Sequence, residues 1–178
     1  MIRPPMSQPP LLERIDAAIL DRGFQPIADR LPERLPAFEL GMSMQLGAIV
    51  LDVAADVALG LLGMLSFERA AFDALSWTIG LLFYRYFRQQ RGLVRPGHAN
   101  PLRHGFFAMR LLAIAFCVVS AMQSIGLHGQ LLLPQLFNST ANLVFTAGIY
   151  LMSCTPRPPS VARARARAGG RPATVWSR

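Results

Sequence analysis

Apolar residues in this chain gather into four long segments that short polar connections separate. The segments cover residues 42–65, 70–87, 106–127 and 131–152. A bilayer core about 30 Å thick requires about 20 predominantly apolar residues per helix, and each segment approaches that length. The second segment is the weakest, because its apolar stretch is short and Asp73 lies near its start. We therefore expect an all-α, polytopic integral membrane protein with four transmembrane helices arranged as two hairpins.

A soluble helical bundle is the competing interpretation of the same pattern. The surface helices of a soluble bundle carry a broad polar face opposite the apolar stripe. The third and fourth segments lack such an alternating polar face. The pattern therefore favours a membrane protein over a soluble bundle.

The distribution of arginine predicts how the four segments are oriented. All 18 basic residues are arginines, and Arg69 alone lies in the connections at one end of the four-span arrangement. The other 17 lie in the N-terminal tail, the central connection and the C-terminal tail, including the helix ends beside them. Because cytoplasmic loops carry an excess of Lys and Arg, we expect both termini in the cytoplasm. The lack of lysine is typical of a GC-rich genome, so we expect a bacterial inner membrane.

Two segments outside the predicted membrane domain have their own patterns. Within residues 1–41, the apolar positions Leu11, Leu12, Ile15 and Ile19 predict an amphipathic helix over 11–22. Such a helix can lie on the inner membrane surface, pack under the bundle or bind a partner. Residues 153–178 are rich in Arg and Pro, which predicts a disordered cytoplasmic tail.

The arginine alternation in the C-terminal tail suggests a lipid partner. Anionic headgroups attract each such residue by about 1 kcal/mol, and the alternating set is Arg163, Arg165 and Arg167. Nucleic acid is not an expected partner, because no base-reading fold accompanies the tail.

The most informative polar residues in the first segment are Asp52 and Asp56. They are four residues apart and therefore share one helix face. That face continues through small and polar residues: Gln45, Ala48, Gly60 and Gly63. Small residues allow close helix packing in membranes, so we expect this face to contact the bundle or another protein.

The energetic balance of the first segment indicates that the two aspartates require partners. A charged Asp near the bilayer centre costs about 2.5–3.5 kcal/mol, so two cost about 5–7 kcal/mol. The ten Leu, Ile and Val residues over 46–65 return about 3–6 kcal/mol. Polar residues on the other segments are candidate partners. We predict an ion-binding or interhelical polar contact with Arg110, Gln123, Asn138 and Asn142.

No catalytic or metal-binding motif is visible in the chain. His98 and His104 have no neighbouring Cys or acid, and no P-loop, GxSxG, HExxH or CxxC pattern occurs. We therefore expect no cofactor and no metal. The preferred hypothesis is a non-catalytic accessory or assembly subunit that forms an oligomer or joins a larger membrane complex. The alternative is a small proton- or cation-coupled transporter or channel that uses Asp52 and Asp56.

Overall fold

The computed structural model describes residues 10–125 and 129–158. The predicted all-α fold is confirmed, because these residues form helices and no strand. The helices are α1 (Leu11–Ala18), α2 (Gln25–Arg30), α3 (Ala37–Leu61), α4 (Phe67–Gln90), α5 (Leu102–Gly105), α6 (Phe107–Ser124) and α7 (Leu132–Ser153). A π-helical turn, Ile19–Phe24, joins α1 to α2. Single 3-10 turns, Arg91–Leu93 and Gly129–Leu131, follow α4 and precede α7.

Local sequence signals set the ends of α3 and α4. At the end of α3, Gly63 adopts a left-handed conformation with φ +67°. Its N–H donates to the Gly60 carbonyl, and the Met64 N–H donates to the Leu59 carbonyl, both at 3.0 Å. These two bonds form a Schellman motif, which ends the helix. At the start of α4, the Ser66 hydroxyl accepts a bond from the Arg69 N–H, as an N-cap does.

The four long helices pack unequally. α3 and α7 form the most extensive contact, α6 packs on α7, and α4 packs on α3. The α3–α7 contact is close because two glycines face each other. A Cβ added to Gly41 would lie 2.6 Å from the Gly148 carbonyl oxygen, and one added to Gly148 would lie 2.9 Å from the Gly41 carbonyl oxygen.

Most of the buried apolar core lies at one end of the bundle, which we name the lower end. It brings together the start of α3, the end of α4, the start of α6 and the end of α7. The four helices therefore alternate in direction, as the predicted two hairpins require. The buried members of this cluster are Phe38, Met42, Phe87, Leu102, Phe106, Ala113, Ile149 and Met152.

Two of the described helices, α3 and α6, are long and apolar enough to cross a membrane. The prediction of four transmembrane helices is thus supported for two segments only. α4 carries charged residues at both ends, and α7 carries a stripe of amide and hydroxyl side chains. Both features lower the hydropathy of these helices below that of α3 and α6.

The N-terminal segment is helical over a longer range than the predicted 11–22, and it packs under the bundle. It contacts α6 through α1 and contacts α7 through the π-helical turn. Its buried residues are Asp16 and Leu20, whereas Leu11, Leu12 and Ile15 are exposed. The segment therefore docks by a side that includes a polar residue, and of the predicted apolar face only Ile19 takes part, packing against the cluster of Leu20, Tyr150 and Cys154. The tail arginines Arg163, Arg165 and Arg167 lie outside the described residues.

Candidate functional site

The unequal packing leaves a cleft in the middle of the bundle. α4 is held by α3, and α6 is held by α7, but α4 and α6 make no extensive contact with each other. A cavity of about 570 Å³ lies between these helices. Its volume falls in the range of about 300–1,000 Å³ that is typical of small-molecule sites.

One wall of the cleft, built by α3 and α4, carries negative charge. Asp52 from α3 lines it together with Asp73 and Trp77 from α4. Asp73 and Trp77 are four residues apart, so one face of α4 presents both side chains. Arg69 lies one turn before Asp73, and its Nε is 3.5 Å from the Asp73 carboxylate. One partly exposed arginine thus faces a group of three carboxylates: Asp52, Asp56 and Asp73.

The carboxylates are incompletely satisfied by hydrogen bonds. Asp56 is only 6% exposed, and its carboxyl group faces that of Asp73 within interaction range. Buried Oδ2 atoms of both residues lack a hydrogen-bond partner, as does the indole Nε1 of Trp77. A buried carboxylate and a partly buried one that face each other repel unless they share a proton or a bound cation. These carboxyl groups therefore favour a bound proton or cation at this wall of the cleft.

The opposite wall of the cleft, built by α6 and α7, is polar but uncharged. Gln123, Asn138 and Asn142 line the cavity. Neighbouring hydroxyl and thiol groups hold the two helices together: the Ser120 and Ser139 hydroxyl oxygens are 3.0 Å apart, and the Cys117 Sγ is 3.1 Å from the Thr146 Oγ1.

The structure gathers many of the sequence-predicted site residues around this cleft. Ala48, Asp52, Gln123, Asn138 and Asn142 line it, and Asp56 lies beside it through Asp73. The others lie elsewhere. The Gln45 Nε2 donates to the Phe145 carbonyl at 2.9 Å in the α3–α7 contact. Gly60 and Gly63 pack against no other described helix, and Gly63 instead ends α3.

Arg110 lies at the lower end of the bundle and does not reach the aspartates of α3. It is 1% exposed, and its Nε donates to the Asp16 Oδ1 at 2.8 Å, with a second bond from Nη2 to the other carboxylate oxygen. The Ser153 hydroxyl accepts from Nη1 at 2.9 Å, and the Tyr150 hydroxyl donates to Asp16 at 2.8 Å. Arg110 therefore forms an interhelical polar contact, but one that ties α1 to α6 and α7.

The balance of interactions keeps Asp16 ionised. Burial alone raises the pKa of Asp16, but the hydrogen bonds from Arg110 and Tyr150 and the charge of Arg110 outweigh it. The pKa of Asp16 is consequently below its ordinary value of 3.8. A carboxylate held charged in a closed ion pair binds no further ligand, so we assign this cluster a structural role.

The contribution of α4 to the cleft was not predicted, because Asp73 alone only weakens the apolar pattern of the second segment. Asp73 and Trp77 were not among the predicted site residues. Their spacing of four, with Gly80 beyond them against Ile49 of α3, is the signal that marks this face of α4. Asp16 was also missed, because nothing local distinguishes it from the other acids of the N-terminal segment.

The ionisable side chains that line the cleft are the carboxyl groups of Asp52 and Asp73, which can hold a proton or a cation. In the described part of the chain, no three His, Cys, Asp or Glu side chains are placed to hold a metal ion. The chain matches no protein-family model, no curated protein and no solved structure.

Proposed function

We propose that this chain is a small bacterial inner-membrane protein that binds a cation, or a proton, in the cleft between its four long helices. In this proposal the chain spans the membrane four times with both termini in the cytoplasm. Binding of the cation or proton in the cleft is coupled to transport across the membrane. The observation that carries the proposal is the cleft itself, which Asp52 and Asp73 line, with Asp56 beside them, inside a bundle whose outer surface is mostly apolar. Intramembrane acids of this kind commonly belong to ion or proton pathways.

The membrane location is supported by the apolar surface of the long helices. In a soluble protein, large apolar side chains that are more than half exposed are scattered singly. Here all four long helices carry them, including Val50 on α3, Leu82 on α4, Leu112 on α6 and Leu143 on α7. Exposing these apolar side chains to water costs free energy, whereas exposing them to the hydrocarbon core of a bilayer does not.

The orientation is supported by the charge at the two ends of the bundle. The lower end carries the arginine-rich central connection and Arg110, whereas the described residues at the upper end include Arg69 alone among basic side chains. The positive-inside rule then places the lower end in the cytoplasm.

Access to the cleft is unequal at the two ends. A second cavity of about 200 Å³ lies near Arg69 and Gln135, and it shares Asn138 with the cleft. The lower end is closed by the apolar core and the Arg110 cluster. In this conformation the cleft is thus approached from the upper, outer side, as one state of an alternating-access cycle would be.

The test is ion flux in proteoliposomes that contain the purified full chain. A trapped pH-sensitive dye reports proton movement under an imposed Na⁺, K⁺ or proton gradient. We expect flux above empty liposomes, and we expect Asp52→Asn combined with Asp56→Asn to lower it at least tenfold. Glu13→Gln, which removes an exposed carboxylate from α1, is the matched control. Flux that survives the double substitution contradicts the proposal.

A second candidate function is that of an assembly subunit, and the exposure of α4 favours it. Along its 24 residues, Phe87 is the one side chain that α4 buries. A second copy of the chain or a larger membrane partner that covered α4 would also close the open side of the cleft. Native mass spectrometry after mild detergent extraction tests this candidate. A strictly monomeric chain with no co-purifying protein contradicts it.

A further inference from the structure

The ligand class of the cleft can be argued from its size. The cavity of about 570 Å³ is far larger than a single inorganic ion and has the volume of a small organic molecule. The three carboxylates are not arranged with other donors as a metal cage among the described residues. The cleft therefore has the charge of a cation site and the volume of an organic-ligand site.

The lining of the cleft is mostly apolar and rich in aromatic rings. Phe72, Trp77 and Phe83 line it from α4, Phe116 from α6 and Phe145 from α7. Aromatic faces attract quaternary and tertiary ammonium groups, and Trp is the strongest of these partners. An alkylammonium ion would place its charge beside Asp52 and Asp73 and its hydrocarbon substituents against the rings.

The buried carboxylate wall supplies an independent observation that points to such a ligand. Asp56 is more than nine-tenths buried, and its Oδ2 lacks a partner. The Trp77 Nε1 is buried in the same wall beside the Asp52 carboxylate, but the two do not form a hydrogen bond of good geometry. A bound monovalent cation would neutralise the excess negative charge there without demanding the close oxygen cage that a divalent metal requires.

We propose that the cleft between α4 and α6 binds a lipophilic monovalent organic cation of the alkylammonium class, held by Asp52 and Asp73 and by the aromatic rings around Trp77. This inference rests on the proposed cation-binding function and specifies its ligand. The ligand reaches this site from the upper side of the bundle, where the smaller cavity near Arg69 and Gln135 shares Asn138 with the cleft.

The chain offers a built-in reporter for this site. It has two tryptophans, Trp77 and Trp176, so Trp176→Phe leaves Trp77 as the single fluorophore. The probe is tetrabutylammonium, which does not absorb where tryptophan emits. In detergent-solubilised full chain we expect a saturable change in Trp77 fluorescence on titration, at constant ionic strength set with sodium chloride.

Matched variants separate specific binding from partition into detergent. In the Trp176→Phe background, Asp52→Asn is expected to raise the apparent Kd at least tenfold, and Glu13→Gln is expected to leave it unchanged. Phe116→Leu retains apolar volume but removes a ring, and it is expected to raise the Kd at least threefold. It also keeps the test valid if the Asp52 variant fails to fold. Saturation by tetrabutylammonium with these losses supports the inference.

The opposite outcomes are distinct from a failure of the proposed function. A linear response of equal slope in all variants shows partition only and overturns the inference. Proton or Na⁺ flux that depends on Asp52 and Asp56, together with no tetrabutylammonium binding, overturns the organic-cation inference and leaves the ion-binding function standing. The absence of both flux and binding overturns both.

Discussion

At the scale of single residues, the cluster around Arg110 shows which contacts can be predicted from the sequence and which cannot. From the sequence, Arg110 is predicted to be a partner of the two aspartates on α3. The actual partner, Asp16, is 94 residues away in sequence. An ion pair between segments leaves no periodic trace in either segment, so the residue types were predictable but the pairing was not.

Loss of the Asp16 charge is expected to destabilise the fold strongly. Asp16→Asn leaves Arg110 buried without a counter-charge, and breaking one side of a buried pair costs about 3–5 kcal/mol. Unfolding of the detergent-solubilised protein, followed by circular dichroism, measures this loss. The double substitution Asp16→Leu with Arg110→Met removes both charges and should be clearly less destabilised than Asp16→Asn. An equal loss in both variants would show that the ion pair is not the cause.

The same residue predicts a pH dependence of stability. Because its folded-state pKa is below the ordinary 3.8, ionised Asp16 contributes its full stabilisation above about pH 3.8. That contribution disappears as the pH falls through the lower, folded-state pKa. The stability difference between wild type and Asp16→Asn should therefore be constant at neutral pH and shrink in strong acid. A difference that instead grows on acidification would contradict the assignment.

At the scale of helices, the sequence located the long elements well but not their contacts. The four predicted segments coincide with α3, α4, α6 and α7 to within about five residues at each end. The length of an apolar segment indicates which residues form a long helix. Close packing between helices depends instead on which small residues face each other. Gly60 and Gly63 were expected to pack, but the crossing of α3 and α7 uses Gly41 and Gly148.

Filling that crossing is expected to separate α3 from α7. In Gly41→Ala the new methyl group would lie 2.6 Å from the Gly148 carbonyl oxygen, and backbone atoms there cannot yield cheaply. Overpacking of this kind costs about 1–3 kcal/mol. Gly60→Ala is the matched control on the same helix, because its methyl group would meet only Leu65 at 3.8 Å. Denaturation midpoints should fall for the first variant and not for the second.

At the scale of the whole molecule, the distribution of arginine predicts the membrane topology, and the cleft contains the residues of the proposed binding site. The sequence alone placed Asp52 beside the polar stripes of the third and fourth segments, since all three stripes require burial. It did not indicate the gap between α4 and α6, because an open side results from contacts that fail to form. The gap between α4 and α6 provides the space for a binding site, which a fully packed four-helix bundle would lack.

The topology is expected to place the two ends of α4 on opposite sides of the membrane. In a chain lacking Cys117 and Cys154, Met64→Cys should react with an impermeant maleimide from outside. Arg95→Cys should react only after permeabilisation. Labelling of both probes from the same side would contradict a membrane crossing by α4.

The contacts of the N-terminal segment have a consequence for how the protein is made. Asp16 bonds to Arg110 and Tyr150, which follow it by 94 and 134 residues, and Gln25 bonds to the backbone of Thr155 just after α7. Translation must therefore extend into α6 before α1 meets its first partner, and past α7 before all of these contacts can form. The segment that precedes the bundle is thus synthesised before its partners but attached only after them, when the last described helix is in place.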